Sequence, residues 1–126
     1  MKKHYLFICT SNLDRSPCAA NLFEDSEEVE ARSAGFFPAS EESNPITREA
    51  IKWASVIFVM DERNEFHKTQ LLQKFPEAEE KEIITLGIPN DLARNDPELE
   101  KLLKVRLEKL GFLEGEKEKK FSKRKN

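Results

Sequence analysis

The stretch YLFICTSNLDRSPCAANLF, residues 5–23, decides how this chain folds. Residues 5–9 are apolar without alternation, as in a strand buried on both faces. Ser16 before Pro17 reads as an N-cap and first helical position, and Ala19, Ala20, Leu22 and Phe23 give a helix over residues 16–28 its apolar face. A strand running straight into a helix is the opening of a parallel crossover unit.

The same alternation continues downstream. Residues 29–34 read as a second strand closed by Gly35, and residues 36–44 as a loop. Pro45 opens a helix to about Trp53, and residues 56–60 form a third strand. Asp61 caps a helix that ends near Phe75, before Pro76, and residues 82–86 make a fourth, weaker strand. Asp96 and Pro97 start a last helix, which ends near Gly111, with Leu99, Leu102, Leu103, Arg106, Leu107 and Leu110 at core-facing spacings. Trp53 is expected to pack under the sheet. Four strands and four helices in strict alternation predict the α/β class, as a single open four-stranded parallel sheet with helices on both faces. Residues 1–112 form that domain, and residues 113–126 read as a charged, disordered tail, Phe121 being the one large apolar group after Glu114.

Composition narrows the functional classes. A length of 126 residues predicts one domain, and 38% hydrophobic against 36% charged residues predicts a folded chain with a crowded charged surface. The longest apolar runs are five residues, so neither a membrane span nor a secretory signal is expected. With two cysteines and no export signal the reading is a reducing cytoplasm and a free thiol. A net charge of −3 argues against a nucleic-acid partner. His4 and His67 lack partners at ligand spacing, so neither a metal nor a cofactor is expected.

In an open parallel sheet the ligand site lies beyond the carboxyl ends of the strands, here the loops after Cys9, Gly35, Met60 and Leu86. The first of them carries Cys9, Thr10, Ser11, Asn12, Leu13, Asp14, Arg15 and Ser16. A loop of this length ahead of a helix turns its amides inward to hold a tetrahedral dianion, and Arg15 closes the cradle with a fork matching two phosphate oxygens. Cys9 would feel the same positive field, which favours the thiolate. Taken alone, Cys9 would read as a buried small hydrophobe; Arg six places later and Ser seven places later, between a strand and a helix, make it a nucleophile.

These residues resemble the low-molecular-weight protein tyrosine phosphatases, whose signature is Cys, five residues, then Arg and Ser on the first strand-to-helix turn of a flavodoxin-like sheet. The resemblance extends to Ser33, Ala34 and Gly35 and to Val59, Met60 and Asp61, and covers most of residues 4–110. It implies a hydrolase acting on phosphomonoesters of a protein tyrosine or a small aryl phosphate. Cys9 would take the phosphoryl group as a thiophosphate, Arg15 bind its oxygens, Ser16 hydrogen-bond the sulfur and Asn12 hold the loop in a strained shape. A monomer without cofactor fits the reading. Ser11 stands where the family has glycine, so serine would meet a glycine-like backbone angle. Asp14 replaces the second cysteine of many members and sets a carboxylate beside the anion site unless it turns outward.

The family's general acid is an Asp in the loop after the fourth strand, and two residues compete for the role. Asp91 lies nearer the strand end, whereas Asp96 keeps the following proline but has a helix-capping role of its own. Asp91 is favoured. The aromatic pair that follows the family's acid is replaced by Leu92 and Ala93. Phe36 and Phe37 either wall the cleft or tuck onto the core. Cys18 reads as a buried small residue or as a resolving thiol for Cys9. Two rival functions remain at this point, a catalytically weak phosphate-binding or regulatory module and, last, an arsenate reductase, for which cysteines after Cys18 are lacking.

Overall fold

The computed structural model describes residues 2–113, and the expected tail from residue 114 onward lies outside the described residues. Strands β1 (Lys3–Cys9), β2 (Val29–Gly35), β3 (Val56–Val59) and β4 (Glu82–Thr85) form one parallel sheet in the order β2-β1-β3-β4. Strand β1 is central, with Tyr5 opposite both Ala31 and Val56. That position is why its apolar run does not alternate: both of its faces are covered.

Tyr5, Phe7 and Cys9 face a layer made by helices α1 (Arg15–Asn21) and α4 (Pro97–Lys109), and Leu6 and Ile8 face α2 (Arg48–Trp53) and α3 (His67–Lys74). On the first face Phe7 stacks on Phe58 with centroids 4.7 Å apart, and Tyr5 meets Phe23, Phe58 and Phe112 edge-on. Each fully buried side chain of this size contributes roughly 1.5–3 kcal/mol. Leu113, expected in the tail, packs on the same cluster as Phe112.

Several boundaries differ from expectation, each for a local reason. Asp14 rather than Ser16 occupies the N-cap of α1, and the helix ends at Asn21, not at residue 28. Pro45 makes an isolated parallel bridge with Gly35, and α2 starts only at Arg48, capped by Thr47, whose hydroxyl accepts the Ala50 N–H. Asp61 does not open a helix directly. Its carboxylate accepts the N–H groups of Asn64 and Glu65 and closes a turn, Phe66 follows in the left-handed region at φ +55°, and α3 starts only at His67. Helix α4 starts as read, Asp96 accepting the Glu98 N–H with Pro97 next. Its buried stripe narrows to Leu99, Leu103 and Leu107, while Leu110 is exposed. Trp53 is only partly buried: it stacks on His4 at 4.4 Å with the Arg32 guanidinium over its ring.

Candidate active site

Cys9 ends the central strand, and the loop behind it is wound so that its amides stay open. Among the described residues, none of the amide N–H groups of residues 11–16 donates to a protein acceptor. Asn12 makes this possible. It takes the left-handed conformation at φ +54°, its side-chain Oδ1 accepts the Asn44 N–H at 2.6 Å, and its side-chain Nδ2 donates to Ser16 Oγ at 2.8 Å. Ser11 carries no positive φ, so the glycine-like angle expected there falls on Asn12, one of the few non-glycine types that tolerate it.

Ser16 Oγ lies 3.1 Å from Cys9 Sγ, both groups being buried. Gly35, at the end of β2, lets the loop sit this low: a Cβ there would stand 2.6 Å from Asn12 N and 2.9 Å from Thr10 O. Asp14 does not face the cradle with a free carboxylate; its Oδ1 accepts the Arg94 N–H at 2.9 Å and ties the loop after β4 to the loop after β1.

Arg15, 4% exposed, has three of its hydrogen bonds in place. Nη1 donates to Glu65 Oε2 at 2.6 Å and to the Ile88 carbonyl at 3.0 Å, and Nη2 donates to Glu65 Oε1 at 2.7 Å. Glu65 also accepts from the Thr10 hydroxyl at 2.8 Å. Thr10 Oγ1 in turn is 2.9 Å from Nε2 of His67, which is 0% exposed, and His67 Nδ1 accepts the Asp61 N–H. With Nδ1 an acceptor, the neutral ring carries its proton on Nε2 and donates it to Thr10. Burial pushes the His67 pKa down and Arg15 adds to the effect, against the partial opposition of Glu65, Asp61 and Glu62. Burial would raise the Glu65 carboxyl, but hydrogen bonds from Arg15 and Thr10 and the charge of Arg15 outweigh it and hold the group below the ordinary carboxylate range.

Of the paired phenylalanines, Phe36 is not on a wall: it is buried and its ring lies against His67 at 5.6 Å. Phe37 stays on the rim, 65% exposed, on a segment whose N–H groups at Phe37 and Ala39 bond the Thr10 and Ser11 carbonyls. Asp96 serves as the α4 cap. Asp91 is exposed, in a loop fastened at Ile88, which binds Met60 and Arg15, and at Arg94, which binds Asp14. Cys18 lies in the core, where burial pushes its thiol up. No group of His, Cys, Asp and Glu among the described residues is arranged to hold a metal ion.

Glu65 and His67 are the residues that sequence reasoning missed. The usable signal was position: the polar run behind the most regular strand lies on the same carboxyl-end rim as Cys9.

No family model matches the sequence. The chain is 32% identical over 103 residues to a protein-arginine-phosphatase from Geobacillus stearothermophilus, covering 64% of this chain and 68% of that protein. The solved structure described as YwlE arginine phosphatase from Geobacillus stearothermophilus superposes with a TM-score of 0.65 at 33% identity, over 86% of this chain and 92% of that one. The tyrosine phosphatase Wzb from Escherichia coli K30, at 20% identity and a TM-score of 0.66 over 87% of this chain and 96% of its own, shares the fold. With the cysteine-and-arginine loop on the central strand of the same sheet, the chain belongs to the low-molecular-weight protein tyrosine phosphatase family and is a hydrolase of that type.

Proposed function

We propose that the enzyme removes the phosphoryl group from a phosphorylated protein side chain, with Cys9 as nucleophile, Arg15 and the loop of Thr10, Ser11, Asn12, Leu13, Asp14 and Ser16 as the oxyanion cradle, and Asp91 as general acid. The observation that carries this is the loop of unpartnered amides behind a buried Cys9 whose sulfur lies 3.1 Å from Ser16 Oγ. Those donors suit the equatorial oxygens of a phosphoryl group in transfer.

In the first step the Cys9 Sγ–phosphorus bond forms while the bond to the leaving atom breaks, and Asp91 gives that atom its proton. In the second, water attacks phosphorus, Asp91 takes the water's proton, the sulfur–phosphorus bond breaks and phosphate leaves. The Ser16 hydroxyl stabilises the departing thiolate. Asp91 is chosen because its loop is tied on either side to cradle residues, Ile88 to Arg15 and Arg94 to Asp14, whereas Asp96 already accepts the Glu98 N–H. The tether also speaks against a silent binding module on one count, since the Asp14 carboxylate is turned to Arg94.

The relatives' activities, on arginine and on tyrosine, share a planar leaving group. Exposed Leu13, Phe37 and Phe66, on three of the four rim loops, suit a planar group at the rim. Two free cysteines, and no described helix long and apolar enough to cross a membrane, support a cytoplasmic place of action. Turnover of p-nitrophenyl phosphate and of phosphotyrosine and phosphoarginine peptides by wild type and by Cys9→Ser tests the reading. Wild-type turnover with a phosphoenzyme trapped by acid quench, both absent in Cys9→Ser, is the expected result. Equal rates in the two proteins would overturn it.

A further inference from the structure

We propose that Glu65 is a positioning residue for oxyanion binding: its carboxylate, held in turn by Thr10 and His67, fixes Arg15 so that one edge of the guanidinium is kept for the substrate phosphoryl group. The proposal deepens the phosphatase reading and rests on it.

A guanidinium has five N–H donors. In Arg15 both hydrogens of Nη1 are used, by Glu65 Oε2 and the Ile88 carbonyl, and one hydrogen of Nη2 is used by Glu65 Oε1. The two that remain are Nε–H and the second Nη2–H. They lie parallel on one edge of the fork, which is the geometry that matches two oxygens of a tetrahedral anion. The carboxylate therefore takes the end of the fork and leaves its side free. A long side chain that would lose several rotatable bonds on binding phosphate is immobilised beforehand.

Glu65 is itself held. It receives the Thr10 hydroxyl, Thr10 receives the Nε2–H of buried His67, and His67 receives the Asp61 N–H. The backbone of Glu65 is fixed as well, its N–H on the Asp61 carboxylate and its carbonyl accepting the Gln70 side-chain amide at 2.6 Å. Buried side-chain N and O atoms without a partner are absent from the described residues, so the chain from Asp61 to Glu65 is held at every link, and the spare donors lie on the open edge of Arg15.

The contrary reading is that Glu65 is an internal competitor, an anion sitting where substrate should. The two make opposite forecasts. For a positioning residue, Glu65→Ala frees Arg15, so vanadate and inorganic phosphate bind roughly tenfold to hundredfold more weakly and kcat/KM for p-nitrophenyl phosphate falls by a similar factor. Glu65→Asp, which keeps both oxygens one methylene short, recovers part of each. For a competitor, both substitutions tighten oxyanion binding and lower KM.

The measurement is oxyanion inhibition and the split between kcat and KM in wild type, Glu65→Ala, Glu65→Asp and Cys9→Ser, with alkylation of Cys9 by iodoacetamide as a control on the loop. Weaker oxyanion binding in Glu65→Ala, with Cys9 alkylation retained and partial rescue by Asp, is expected. Oxyanion affinity unchanged or tighter in Glu65→Ala overturns the proposal while leaving the phosphatase reading intact. A misfolded Glu65→Ala passes the decision to Glu65→Gln, which keeps the shape and removes the charge that holds Arg15, and whose unchanged or tighter binding overturns it equally. A wild type that neither binds vanadate nor turns over substrate overturns both.

Discussion

Two loops leave adjacent parallel strands at the same edge of the sheet, and they build the site in different ways. The loop after β1 carries its chemistry in eight consecutive residues, from Cys9 to Ser16: Asn12 turns the backbone, Ser16 reaches back to the sulfur, and the amides stay open. The loop after β3 contributes Glu65 and His67 only because β1 and β3 pair, with Phe7 opposite Phe58 and Ile8 opposite Val59. One is a local motif and the other is a tertiary arrangement. A variant in the first loop should remove chemistry, and a variant in the second should remove the precision with which that chemistry is held.

The sharpest way to break this division is at the residue where the loops meet. Arg15→Ala removes the only side-chain cation of the proposed cradle, so kcat/KM on p-nitrophenyl phosphate should fall about 10³-fold, as for the loss of a strong oxyanion donor. It also leaves Glu65, whose side chain is 17% exposed, without its main partner, so thermal unfolding should shift down. A loss of activity with unchanged stability would show that the pair is not a shared structural element.

A second comparison lies within the loop after β4. Asp91→Asn should lower kcat on a poor leaving group about 10²-fold with little change in phosphate affinity. Asp96→Ala should leave kcat within about threefold and cost about 1 kcal/mol of stability, because it accepts the Glu98 N–H at the start of α4. Steady-state kinetics and urea denaturation on the two proteins decide between them, and a reversed pattern would move the acid to Asp96.

What was legible in the sequence follows the same line. The element order, the β1 position and the pair Cys9 and Arg15 rest on local signals: unbroken apolar runs, caps, and a fixed spacing on a strand-to-helix turn. The start of α3 was misplaced because Asp61 caps equally well a helix or a turn, and only the left-handed Phe66 settles which. His67 has no ligand at sequence spacing, and its role comes from a Thr10 hydroxyl 57 residues away. Phe36 looked like Phe37 in sequence and parts from it because the chain alternates sides at the end of β2, one ring going under to His67 and the other out.

Gly35 seats the loop after β1 on the end of β2 through backbone rather than charge. A Cβ at this position would sit 2.6 Å from Asn12 N, and its neighbours there are backbone atoms that cannot swing aside. Gly35→Ala should cost about 1–3 kcal/mol in denaturation, as for overpacking in a tight interior, and lower kcat/KM by lifting the loop off β2. A fully active Gly35→Ala would mean that the cradle keeps its shape without its close seat on β2, and the role given to Gly35 would fail.

The smallest effect concerns pH and tests the second loop alone. His67 faces Glu65 and Arg15 on one side and Asp61 and Glu62 on its own loop, with Phe36 against its ring. Folding holds its pKa below the ordinary 6.5, chiefly by burial, so between that value and the lowered one the unfolded chain binds more protons than the native chain. Stability from keeping His67 neutral is therefore complete above about pH 6.5 and is lost as pH falls toward the lowered value. Glu65, also lowered, acts in a separate window beneath its ordinary 4.5. Protonation would make Nδ1 a donor facing the Asp61 N–H, and the chain through Thr10 to Glu65 would lose its anchor. His67→Gln, which cannot titrate, should flatten the fall in urea midpoint between pH 7.5 and 5 whatever its absolute stability. Parallel pH profiles for wild type and variant would show that the buried ring is a packing group and that Glu65 is held by Arg15 and Thr10 alone.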